Sequence, residues 1–146
     1  MEKTQADFIE AGKEHFINTI LPQLQKISPA AVDSMMVFIE GSVSYGFCDE
    51  HSDVDIDYYI NGDYDENVLQ RIRQVFSAET YWHESIRVSY GFGGAYWKFP
   101  LIVNNEMDTF WNEFNPYALV NIKNAIPIWD PQGLLQVIQK RVAFYP

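Results

Sequence analysis

Asp53, Asp55 and Asp57 alternate with Val54, Ile56 and Tyr58. In an extended strand, side chains two apart point to the same side, so the acids share one face and the apolar residues the other. Asp is a poor strand former, and neighbouring like charges repel, so a merely solvated face gives no reason for this pattern. A divalent cation does give one. Mg²⁺ is held by one or two carboxylates together with substrate phosphates. About a dozen residues upstream, the apolar run 35–39 breaks at Gly41-Ser42. Glycine lets the backbone turn tightly there. If the following residues open a short helix, its free N–H groups and the Ser42 hydroxyl face an incoming phosphate. The chemistry these residue types can do is therefore phosphate chemistry at a bound metal.

Gly41-Ser42, a loop containing Gly46, and then Ser52-Asp53-Val54-Asp55 resemble the signature of the polymerase-β-type nucleotidyltransferase superfamily. In that superfamily a Gly-Ser turn follows an apolar strand and precedes a D-x-[DE] strand at this spacing. The resemblance implies that Asp53 and Asp55 hold catalytic Mg²⁺ (or Mn²⁺), and that Gly41 and Ser42 hold the phosphates of a nucleoside triphosphate. The loop to His51 carries no basic residue, and Tyr45 stands where such proteins often have Lys or Arg. Phosphate charge would then be met by metal and backbone, or by Arg87 or Lys98. The order from Tyr90 to Gly133 is similar to that of the lincosamide branch of small-molecule nucleotidyltransferases. The likeness makes Glu106 the third carboxylate, completing a metal site and acting as general base. Asp108, on the same face of its segment, and Glu84 remain rival positions for that role. Asp57 is not among the expected ligands.

Composition narrows the partners. The chain has 146 residues, is 47% hydrophobic and 16% aromatic, and carries a formal charge of −10 from 10 basic and 20 acidic side chains. Its length and apolar content predict a single domain over 1–146 with an ample core. A surface this acidic is ill suited to neutralising nucleic-acid phosphates, so the expected acceptor is a small molecule or a protein and not a polynucleotide. The single Cys48 excludes an internal disulfide and fits a reducing compartment. With no signal peptide and no apolar run of membrane length, the expected location is cytoplasmic.

The elements that would position the acids follow from periodicity. Phe8, Ile9, Phe16, Ile17, Ile20, Leu21, Leu24 and Ile27 recur at helical spacing and predict one amphipathic helix over 4–27, with Pro22 kinking or dividing it. Residues 35–40 and 53–60 are expected as adjacent strands. Asn61-Gly62 is a turn, and Asp63 with Glu66 has capping-box spacing ahead of a helix reaching Phe76, with Arg71 and Arg73 on its solvated face. Residues 85–90 and 95–103 read as strands around the glycines 91–94. That run joins two strands, so it lacks the geometry of a phosphate loop and reads as a hairpin turn. Phe110, Trp111, Phe114 and Tyr117 form either a core segment or an aromatic wall for a base or acceptor. A short strand at 126–129, a turn at 130–133 and a helix over 134–144 close the chain. His15, His51 and His83 have no metal-ligand spacing with one another or with Cys48, although His51 stands close enough to Asp53 to contact a nucleotide. The expected fold is α/β (α+β), a nucleotidyltransferase-like mixed sheet with helices mainly on one side.

Three functions fit these features. One is a metal-dependent nucleotidyltransferase that moves a nucleoside monophosphate from NTP to a hydroxyl of a small molecule, as antibiotic-modifying enzymes do. Such enzymes usually carry a helical second domain. The chain stops at Pro146 without one, which points to a fragment, to a homodimer that completes the site, or to another acceptor class. The second is a minimal nucleotidyltransferase acting on a partner protein, as in toxin–antitoxin pairs. The third is a non-catalytic nucleotide-binding module.

Overall fold

The structure, a computed structural model, describes residues 3–77, 81–91 and 122–142. Among them is an α/β arrangement around a five-stranded mixed sheet. The elements run α1 (Gln5–His15), a π-helical turn (Phe16–Ile20), α2 (Leu21–Ile27), α3 (Pro29–Asp33), β1 (Met35–Glu40), β2 (Val54–Ile60), α4 (Glu66–Phe76), β3 (Tyr81–His83), β4 (Ile86–Tyr90), β5 (Ile126–Trp129) and α5 (Leu134–Val142). Sheet order is β3-β4-β2-β1-β5. β1 lies antiparallel between β2 and β5, and β2 runs parallel to β4. The expected adjacency of the first two strands holds over their whole length, from Met35↔Ile60 to Glu40↔Asp55.

The amphipathic N-terminal stretch is divided, as Pro22 requires. Proline has no N–H to give to the preceding turn. The chain widens just before it, with Leu21 N–H donating to the Phe16 carbonyl. Thr4 and Asp7 close a capping box at the start of α1, in which each side chain accepts the other's backbone N–H. α1, α2 and α4 cover one sheet face. Phe8, Phe16, Ile20, Leu24, Leu69, Ile72 and Phe76 form one core with Val37, Ile39, Val54, Ile56, Tyr58 and Val88. Tyr58 stacks on Phe76 with ring centroids 3.7 Å apart. Gly12 brings α1 close to the sheet, since a Cβ there would lie 2.9 Å from Val54 Cγ1.

Three local features differ from expectation. The cap of α4 is Asp65, whose carboxylate accepts the Asn67 N–H at 2.7 Å, and not the Asp63–Glu66 box. Glu66 pairs instead with Arg73, whose side chain is only 18% exposed and so does not lie on a solvated face. The strand β3 was not expected, because three residues alternating half-buried and exposed carry no apolar signal. The expected strand 85–90 is present as β4, which pairs antiparallel with β3, and residues 95–103 lie outside the described residues.

Candidate active site

The second face of the sheet carries the acids, and strand pairing sets them in rows. Directly opposed residues project to the same face. The β1–β2 register places Glu40 against Asp55 and Phe38 against Asp57. The β2–β4 register sets Ser89 beside Asp55, with Val54 level with Val88. Asp53 then falls level with Arg87, and Trp82 of β3 pairs with Arg87 on the far side. One row is therefore Trp82, Arg87 and Asp53; the next is Ser89, Asp55 and Glu40. Beyond them come Asp57 and Phe38, then Tyr59 and Met36. Phe38, Met36 and Tyr59 are buried, so the face changes from polar to apolar along its length.

Gly41-Ser42 sits at the rim of the second row. Glu40 ends β1, and Gly41–Val43 forms a single 3-10 turn immediately after it. Gly41 has φ +75°, and a Cβ there would lie 3.0 Å from Asp55 Oδ2. Only glycine meets both conditions without strain. The turn is held by Ser44, whose hydroxyl and N–H both donate to the Gly41 carbonyl, and by Gln5, whose amide donates to the Val43 carbonyl at 2.8 Å. Ser42 is exposed beside it. A second close approach lies in the third row, where a Cβ on Gly91 would stand 3.2 Å from the Asp57 carboxylate.

Desolvation sets the protonation of this face. Burial, and then the charges of Asp57 and Asp55, push Glu40 up to about 7. Burial raises Asp57 to about 6, against the opposing effect of the Tyr58 N–H, which donates to its carboxylate at 2.8 Å. Asp55 is raised by burial and by Asp53, with Arg87 acting in the opposite direction. Buried carboxylates resist ionisation because charge is costly to remove from water. Arg87 forms a two-pronged ion pair with Asp53, Nε and Nη2 each donating to one carboxylate oxygen. That bond and the Asp53 charge raise the guanidinium further.

Gly41, Asp53 and Asp55 are thus brought together with Ser42 at their edge. Glu106, Asp108 and Lys98 lie outside the described residues. Glu84 is not at the site: it turns the β3–β4 hairpin at φ +57° and lines a groove of about 370 Å³ beside α1. His15 is buried with Nδ1 2.7 Å from the Tyr90 hydroxyl, His83 meets Glu14, and His51 is exposed beside Glu50. Sequence reasoning overlooked Glu40 and set Asp57 aside. The one local sign of Glu40 is that a single acid ends an otherwise apolar strand directly before Gly-Ser.

The donors suit a hard cation. Every candidate ligand is a carboxylate oxygen, which is what Mg²⁺ takes. Among the described residues no group of three Asp, Glu, His or Cys is arranged to hold a metal. Two carboxylates that leave the remaining positions to water and phosphate match the usual habit of Mg²⁺. Among the described residues, no helix is long and apolar enough to cross a membrane. In comparisons with known proteins, no family model matches the chain, and no curated protein matches it.

Proposed function

We propose that the chain is a metal-dependent nucleotidyltransferase that moves a nucleoside monophosphate from NTP to a hydroxyl of a small molecule. One observation carries the reading: the Gly41-Ser42 turn is packed directly against Asp55, with Asp53 one row away on the same face. These are the residues whose types and spacing point to phosphate and metal, and the β1–β2 register puts them at one rim. Asp53 and Asp55 would hold Mg²⁺ or Mn²⁺, which when bound spreads and neutralises charge on the transferring phosphoryl group. Gly41 keeps a Cβ out of the space beside Asp55, and the exposed Ser42 offers its hydroxyl to a phosphate oxygen. Glu106 would take the acceptor's proton as general base; its replacement by Gln then slows transfer by about 10²–10⁴ while nucleotide binding survives.

Incubating the protein with Mg²⁺ and each labelled NTP, with and without cell extract, tests this. Label moving to a small molecule supports the proposal. Label moving to a protein redirects the same chemistry to a partner protein. Label moving nowhere favours a non-catalytic nucleotide-binding module. The Arg87–Asp53 ion pair favours the non-catalytic module, because it occupies one expected metal ligand with a side-chain cation.

A further inference from the structure

Arg87 and Asp53 are joined in a way that a merely solvated pair does not need. The fork of the guanidinium meets both oxygens of one carboxylate. Asp53 is 24% exposed in its side chain and Arg87 46%. The pair sits at the end of the acid rows, where Asp55 also feels the Arg87 charge. Arg87 lies on β4, one row from the Gly41-Ser42 turn, and among the described residues it is the only basic side chain in those rows. A guanidinium recognises phosphate oxygens with the same fork it uses for carboxylates.

We propose that Arg87 is an exchangeable counter-cation of this site: it holds Asp53 in the metal-free protein, yields it to the divalent ion, and is then taken up by the nucleotide's phosphates. The inference rests on the nucleotidyltransferase reading. It also answers the lack of Lys or Arg in the loop 43–51. The cation for the phosphates comes from the neighbouring parallel strand, and it reaches them only once metal has displaced it. Metal and nucleotide then bind in a coupled order, because each occupies a partner that the ion pair had satisfied. Exchange is easy, since a solvent-reachable ion pair is weak compared with a buried one.

The test uses Mn²⁺ alone, followed by free by paramagnetic resonance, and then inorganic tripolyphosphate with Mg²⁺. The proteins are wild type, Arg87→Gln, Arg87→Lys, Asp53→Asn and the Arg87→Gln/Asp53→Asn pair. With Asp53 present, Arg87→Gln should bind Mn²⁺ about two- to fivefold more tightly, the range expected from freeing a surface ion-pair partner. Its binding of Mg²⁺-tripolyphosphate should weaken, and Arg87→Lys should restore part of that binding. In the Asp53→Asn background the Arg87→Gln gain for Mn²⁺ should vanish. An equal gain in both backgrounds would mean that Arg87 acts only through its general field, and the exchange idea is then wrong. It is equally wrong if Arg87→Gln binds Mn²⁺ no better than wild type, or if tripolyphosphate binding is untouched. Wild type that binds no Mn²⁺ at millimolar concentration overturns the transferase reading itself, so the two failures are distinguishable.

Discussion

Replacing Asp57 by Asn should make the protein's stability less sensitive to pH, and in one direction only. In the folded chain the Asp57 carboxyl is raised from 3.8 to about 6 by burial. The folded state therefore holds its proton more tightly than the unfolded chain does. Below about pH 4 both states are protonated and nothing is lost. As pH rises through the interval to about 6, the unfolded chain ionises first, and folding is progressively penalised. At about 1.4 kcal/mol per pH unit, the full penalty above pH 6 is about 3 kcal/mol. Glu40, raised to about 7, extends the same decline, and part of its rise comes from the Asp57 charge. His15 works the other way. Burial lowers its pKa, so its contribution grows as pH rises through the imidazole range. The raw pH profile thus mixes opposing trends, and the informative quantity is the difference between Asp57→Asn and wild type.

That difference should shift by about 3 kcal/mol in favour of the variant between pH 4 and pH 7.5, with relief of Glu40 adding to it. For a chain of this size it corresponds to on the order of 10 °C in Tm. The Tyr58 N–H keeps an acceptor in the amide oxygen, so the variant loses no backbone hydrogen bond. Urea unfolding at a series of pH values measures it. A difference that stays flat across this range would show that Asp57 ionises as freely in the folded chain as in the unfolded one, and the desolvated acid face would be wrong.

Three further outcomes are expected. Gly41→Ala places a side chain at φ +75° and 3.0 Å from Asp55 Oδ2, so it should cost about 1–3 kcal/mol in urea unfolding and displace the Asp55 carboxylate. Gly12→Ala should also destabilise, by about 1–3 kcal/mol, because the added methyl meets Val54 at 2.9 Å; an exposed helical Gly→Ala would gain about 1 kcal/mol, so the sign of the change reports the closeness of α1 to the sheet. Mg²⁺ at about a hundredfold excess over its Kd should stabilise wild type by about 2.7 kcal/mol, and Asp53→Asn and Asp55→Asn should each abolish most of that rise in Tm, an unchanged rise in both removing them as ligands.

The parts legible from sequence are those whose burial repeats at a fixed period. β1 is buried along nearly its whole length, β2 alternates, and α4 shows one apolar stripe, so each was readable from its own residues. The division of the first helix followed from Pro22. The cap of α4 was misplaced by two residues because acids at 63, 65 and 66 all suit an N-terminus, and only the backbone path decides which one meets a free N–H. β3 escaped because Trp82 is exposed and its neighbours are only half-buried, so three residues carry no apolar signal.

The site divides along the same line. Asp53, Asp55 and the Gly-Ser turn lie within one stretch of chain, so their spacing speaks directly. Glu40 acquires its meaning from the β1–β2 register, and Arg87 from the parallel pairing of β2 with β4, which joins residues more than thirty apart. No local pattern encodes the place of Arg87, and the one local sign of Glu40 is its position directly before Gly-Ser. Pairing also explains why the acids behave differently from one another. Asp53 lies at the open end of the face, where a cation reaches it from the next strand. Asp57 stands where the face turns apolar, against Phe38, and Glu40 is caught between Asp55 and Asp57. A gradient therefore runs along one strand, from an acid already paired to acids that resist ionisation. A divalent ion bound at the Asp53–Asp55 end would favour the charged form of the inner acids too, so metal binding should release protons near neutral pH. Potentiometric titration of Mg²⁺ into unbuffered protein at pH 6.5 measures that release. Metal binding without it would separate Glu40 and Asp57 electrostatically from the metal-binding end.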